Sequence, residues 1–197
     1  MQSKTSSKRL LSIIGVAGIA FSLIAIFFLT FYLPGSVYSY YYAKKDSYAA
    51  GLPVRLIIPK ISVDAAIISV GVNKNGEMES PAGPKDVGWF KFGPRPGDNG
   101  TAIVAGHYGF WKTGEGSVFD DLNKLRKDDK IYVKNERGDI IAFVVRKIIR
   151  YGQNEDASDI FSSSDRKAHL NLITCEGVWN EISKTYSERL VIFTDKE

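Results

Sequence analysis

The chain of 197 residues contains one cysteine, two histidines and two methionines. A single thiol cannot close an intramolecular disulfide, so packing and hydrogen bonds must hold the fold. One Cys and two His also fall short of the four-ligand sets of structural zinc sites. Glycine-rich phosphate loops, zinc-ligand spacings and internal repeats are all missing. The acidic stretch "EDASD" (155–159) lacks the spacing of an EF-hand loop, so neither a metal nor a cofactor is expected.

No acidic residue precedes Asp46, whereas Lys4, Lys8 and Arg9 lie in the first nine residues. An uncharged apolar stretch from Leu10 to Leu33 follows, and as a helix it would span roughly 36 Å, enough to cross a bilayer core with some tilt. It is longer than the apolar region of a secretory signal and has no A-x-A site, so it reads as an uncleaved anchor. Three basic residues before the span against Lys44 and Lys45 after it predict a cytoplasmic tail (1–9), a transmembrane anchor (10–33) and an exported remainder. Beyond the anchor, 23 Lys and Arg residues against 22 acids leave a net charge of +1, which argues against a nucleic-acid partner.

Residues 34–50 read as a linker and 51–197 as one folded domain, long enough to bury a core. Its pattern is mainly β. Short β-branched runs at 54–61, 65–72, 101–107, 130–135, 139–148, 170–175 and 189–194 predict strands, with a hairpin turn at "ERGD" (136–139) and an irregular loop at 93–100. Helical spacing is confined to 116–126 and parts of 155–168. Many short strands at this spacing predict a closed barrel, which removes exposed edges.

Cys175 ends the apolar run "LNLITC", and Gly177 just after it predicts a sharp turn that leaves the thiol at the barrel rim. An arbitrary lone cysteine is more often a small buried hydrophobe, but a rim position calls for an activating partner. His107 ends the run "TAIVAGH", and Arg189 begins the last strand 14 residues beyond the cysteine. Each alone is unremarkable, but the order His, Cys, Arg, every one at a strand end, is specific. The three would then converge from neighbouring strands.

On "TAIVAGH", "LITC" and "ERLVIF", residues 51–197 resemble the sortases, the membrane-anchored cysteine transpeptidases of bacterial surfaces. The tracts 76–100 and 118–139 look most like class F. The resemblance implies a sortase β-barrel in which Cys175 attacks an LPXTG-like sorting signal on a secreted protein and forms a thioester. A cell-wall precursor or another amine then resolves it. It further implies that His107 shuttles the proton, that Arg189 stabilises the oxyanion or orients the substrate, and that Thr174 adds a backbone or hydroxyl contact. Asn171 departs from the family's usual Thr.

Trp179 and Asn180, between Cys175 and Arg189 in the chain, are the expected peptide contacts, whereas Trp89 and Trp111 are expected to pack. His169 is expected to be structural or exposed and Glu176 a solvated charge. Other wall-active thiol enzymes fit less well. Cys/His amidopeptidases place Cys before His, and L,D-transpeptidases carry a compact Ser-His-Gly-Cys cluster. Residues 34–53 lack the Asp-Pro-aromatic lid motif of pilin polymerases, which favours general wall anchoring. The remaining alternatives are a pilin-polymerising sortase and an anchored, non-enzymatic peptide-binding β-domain with an inert Cys175.

Overall fold

The computed structural model describes residues 50–111, 114–153 and 155–197. The expected cytoplasmic tail, anchor and most of the linker lie outside these residues. Among the described residues no helix is long and apolar enough to cross a membrane.

Eight strands close into a barrel in the order β1-β2-β3-β4-β7-β8-β6-β5. They are β1 (Pro53–Ile58), β2 (Val63–Val70), β3 (Val87–Phe90), β4 (Gly100–Gly106), β5 (Lys130–Asn135), β6 (Ile140–Gly152), β7 (Ala168–Asn180) and β8 (Thr185–Lys196). The β2–β3 and β4–β7 pairs are parallel and the other pairs antiparallel. Leu56, Ile58, Val104, Val133, Phe143, Leu170, Leu172 and Ile192 fill the interior from six of the strands. The same strands turn Ile103, Val191 and Phe193 outward, where Tyr151 and Ile160 cover them in a second, smaller apolar cluster. Both faces of β7 and β8 are therefore apolar, as the unbroken run before Cys175 implies.

Two expectations need correction. The tract 116–126 is not a helix: it holds one 3-10 turn, Leu122–Lys124. Phe119, Leu122 and Leu125, spaced by three, are fully buried against the interior and plug one end of the barrel. Three-residue spacing matches a 3-10 turn as readily as an amphipathic helix. Nor does the chain leave the sheet at Gly177. It sits at a bulge, φ 85°, where β7 continues to Asn180 in a long hairpin with β8. A side chain there would collide with the Ser187 hydroxyl, so a small residue at this position marks a close approach rather than a strand end. The "ERGD" turn stands as expected: the Gly138 N–H donates to Asn135 O at 3.0 Å, and the Asn135 Oδ1 accepts from Arg137 and Asp139.

Gly106, at the end of β4, has no room for a side chain, because a Cβ would lie 2.5 Å from the buried Phe119 ring. Gly106→Ala should therefore lower the unfolding free energy by about 1–3 kcal/mol through overpacking. Gly83→Ala, whose Cβ would meet nothing within 4 Å, should change it by less than about 0.5 kcal/mol. Urea unfolding of both variants checks this, and equal midpoints would contradict it.

Candidate active site

Three neighbouring strands, β4, β7 and β8, carry the candidate residues to one place. Cys175 on β7 stands directly opposite Arg189 on β8. In the parallel β4–β7 ladder Ala105 pairs with Ile173, and the Thr174 hydroxyl donates to Gly106 O at 2.8 Å. The next residue on β4's side, His107, thus arrives level with Cys175. His107, Cys175 and Arg189 line one open cleft of about 790 Å³, together with Tyr108, Trp111, Trp179 and Tyr186. Cys175 is half-buried, with its side chain on the outward face shared with Ile173.

His107 is held from two sides. Its Nε2 lies 2.8 Å from Pro81 O, and the Trp111 ring sits 4.8 Å away, tilted by 57°. A carbonyl only accepts, so Nε2 carries a proton and the neutral ring offers Nδ1 as its lone pair. Pro81 is fixed in turn because its loop docks on the tract after His107: Val118 N–H donates to Pro84 O at 2.8 Å, and Lys85 Nζ to Gly116 O at 2.6 Å. Asp120 ties that tract together by accepting from Gly109 N–H at 2.7 Å and Ser117 N–H at 2.8 Å.

The hairpin aims Arg189. Nη1 donates to the carbonyls of Tyr186 (3.1 Å) and Glu188 (2.9 Å), and Nη2 to the Thr185 hydroxyl at 3.0 Å. Both Nη1 hydrogens are then used, which leaves Nε and the second Nη2 hydrogen as donors for a substrate. Burial pushes the Cys175 thiol above its ordinary pKa, and the Arg189 cation opposes that rise. The resting group is mainly thiol at neutral pH. Burial, with Tyr108, Cys175 and Asp120 nearby, also raises Tyr186, which keeps its phenol protonated.

The remaining expected residues divide. Trp179 lines the cleft and packs edge-on against Tyr186, its cross-strand partner, with centroids 5.1 Å apart. Trp111, expected to be packing, also lines the cleft. Asn180 instead caps the hairpin turn, its Oδ1 accepting from Ile182 N–H (2.9 Å) and Ser183 N–H (3.0 Å). The Thr174 side chain is buried and its hydroxyl already engaged. Trp89 is core, donating from Nε1 to Pro94 O at 3.0 Å. Glu176 is not solvated: it is buried on the other face of the strand and paired with Arg150 Nε at 2.5 Å. Of the two roles expected for His169, structural or exposed, it has the structural one, buried and clamped at 2.8 Å by both Asp165 and Asp195. Asn171, which departs from the family pattern, donates to Ile160 O at 2.6 Å and fastens the β6–β7 connection. A second hollow of about 320 Å³, walled by Met78, Ala105, Ile160, Phe161 and Ile173, meets the cleft at Arg189.

Sequence reasoning missed Pro81, Asp120, Thr185 and Tyr186. Pro81 acts through a backbone carbonyl, which no side chain announces, and the others are legible only once the hairpin and the 107–120 tract are folded.

The sortase domain model matches residues 56–197. The fold is similar to that of sortase C-1 from Actinomyces oris, at 24% identity over 74% of each chain with TM-score 0.58. A lid mutant of sortase A from Corynebacterium diphtheriae gives TM-score 0.58 at 19% identity, over 75% of this chain and 71% of that one. Sortase C2 of Group B Streptococcus Pilus Island 1 gives 0.55 at 23% identity, over 73% of each. No curated protein matches. The chain belongs to the sortase family. It is a sortase-type cysteine transpeptidase.

The thiol's environment makes a pH prediction. Iodoacetamide alkylation of Cys175 should rise with pH through a midpoint above that of a free thiol. Arg189→Gln removes the cation that favours thiolate, so its midpoint should move higher still. A downward shift in the variant would contradict the assignment.

Proposed function

We propose that this chain is a membrane-anchored sortase, held by residues 10–33 with its catalytic domain outside the cell, that cleaves an LPXTG-like sorting signal and joins the released protein to an amine of the cell wall. The observation that carries the reading is the direct pairing of Cys175 with Arg189 in the cleft that also holds His107.

Nδ1 of His107 takes the proton of the resting Cys175 thiol, and the thiolate so formed attacks the carbonyl carbon of the scissile amide. The oxyanion that forms meets the Nε and Nη2 donors of Arg189, a cation at every working pH. Because Nε2 is committed to Pro81 O, the proton delivered to the leaving amine comes from Nδ1 of His107. The departing segment leaves a thioester, and an incoming amine returns its proton to the same nitrogen. The apolar residues of the signal lie along the hollow between Met78, Ile160 and Ile173. Trp179 contacts substrate from the hairpin. Asn180 and Thr174 act by holding the hairpin and the strand end.

Within the family we assign the chain to class F, on tracts 76–100 and 118–139. The missing Asp-Pro-aromatic motif in residues 34–53 favours wall anchoring over pilus polymerisation.

A fluorogenic LPXTG-type peptide with an added amine tests this reading. Turnover should vanish in Cys175→Ala. Arg189→Lys keeps the charge but loses the planar fork, and should reduce kcat/KM about a hundredfold or more with an unchanged circular dichroism spectrum. Turnover by Cys175→Ala equal to wild type would reject the enzyme reading, and near-normal turnover by Arg189→Lys would reject the oxyanion role.

A further inference from the structure

Two hollows meet at Arg189, and the sortase reading, on which this inference rests, requires a place for each half of the exchange. The acyl half of the signal suits the smaller, apolar hollow. The leaving amine and the arriving amine must share one position, since the second half-reaction is chemically the reverse of the first. That position is the larger basin on the other side of Cys175.

Its composition is unusual for a site that receives an amine. The walls are aromatic, with Tyr108, Trp111, Trp179 and Tyr186. Among the described residues its fixed charges are Lys184 and Arg189, and no Asp or Glu lines it. Lys184 pairs with Glu181 at 2.7 Å, but the two side chains are 66% and 76% exposed, so that pair is weak and Lys184 stays available to a ligand. An acceptor bearing only an ammonium group would meet two cations and no carboxylate on the basin wall. An amine on a carbon that also bears a carboxylate brings the missing negative charge, and the cationic surroundings favour the unprotonated amine that must attack.

We propose that this basin is the acceptor site and that it selects amines carried beside a carboxylate, as at the free end of an amino acid, with Lys184 holding the carboxylate. In the transfer step the amine lone pair attacks the thioester carbonyl. The C–N bond forms and the C–S bond breaks, sulfur leaves as thiolate with the bonding pair, and the amine's surplus proton passes to Nδ1 of His107.

The test uses the full chain, an LPXTG-type peptide and three acceptors, glycine, glycinamide and Nα-acetyl-lysine amide, at equal concentrations of unprotonated amine, with products read by mass spectrometry. Glycine should be used about three- to fivefold more efficiently than the other two, the range expected of one exposed charge pair. Lys184→Gln should erase that preference. Equal or better use of glycinamide or the lysine derivative, or a preference that survives Lys184→Gln, would overturn the proposal. The acylation step separates this failure from that of the sortase reading. A Cys175 thioester that forms and hydrolyses without acceptor preference overturns the acceptor proposal alone, whereas no thioester with peptide in the absence of amine overturns the sortase reading and the proposal with it.

Discussion

The register between β7 and β8 governs the rest of the site. Residues directly opposed across an antiparallel pair share a face, so the single pairing of Cys175 with Arg189 fixes both the nucleophile and the cation. A slip of one residue would send one of them inward among Leu172, Leu190 and Ile192. Apolar packing on both faces of these strands opposes such a slip, with Leu190 and Ile192 inside and Val191 and Phe193 outside. The thiol's position is thus set by the core rather than by contacts of its own.

The cleft opposes two effects on one sulfur. Partial burial favours the neutral thiol, and the adjacent guanidinium favours thiolate. A resting thiol protects the only cysteine from adventitious chemistry, and a substrate carbonyl beside Arg189 receives the charge that the sulfur gives up. Arg189 is suited to this because its orientation is determined before substrate arrives: two carbonyls and the Thr185 hydroxyl hold it to the hairpin. His107 is prepared in the same way by a backbone carbonyl from a loop that precedes it by 26 residues.

Much of this was legible in the sequence. His107, Cys175 and Arg189 each end or begin a β-branched run; His107 follows the end of β4, whereas Cys175 and Arg189 lie within β7 and β8 and are brought together by the pairing register rather than by a strand end. Other features were hidden for physical reasons. The four-residue strand β3, Val87–Phe90, is too short and glycine-broken to carry a period of two. Phe119, Leu122 and Leu125 imitate a helix because threefold spacing satisfies both helical geometries. Gly177 reads as a turn because a bulge needs the same residue. Asn180 looked like a ligand contact and caps a turn, since an amide serves either end equally well.

The most direct measurement is a crystal structure of the chain with a sorting-signal peptide joined to Cys175 Sγ through a carbonyl-containing thioester mimic. The predicted density runs from sulfur along the hollow beside Ile160 and Ile173, with the carbonyl oxygen about 3 Å from the Arg189 guanidinium and the basin beside Trp179 left open. A peptide lying across that basin, or an oxygen turned away from Arg189, would contradict the account.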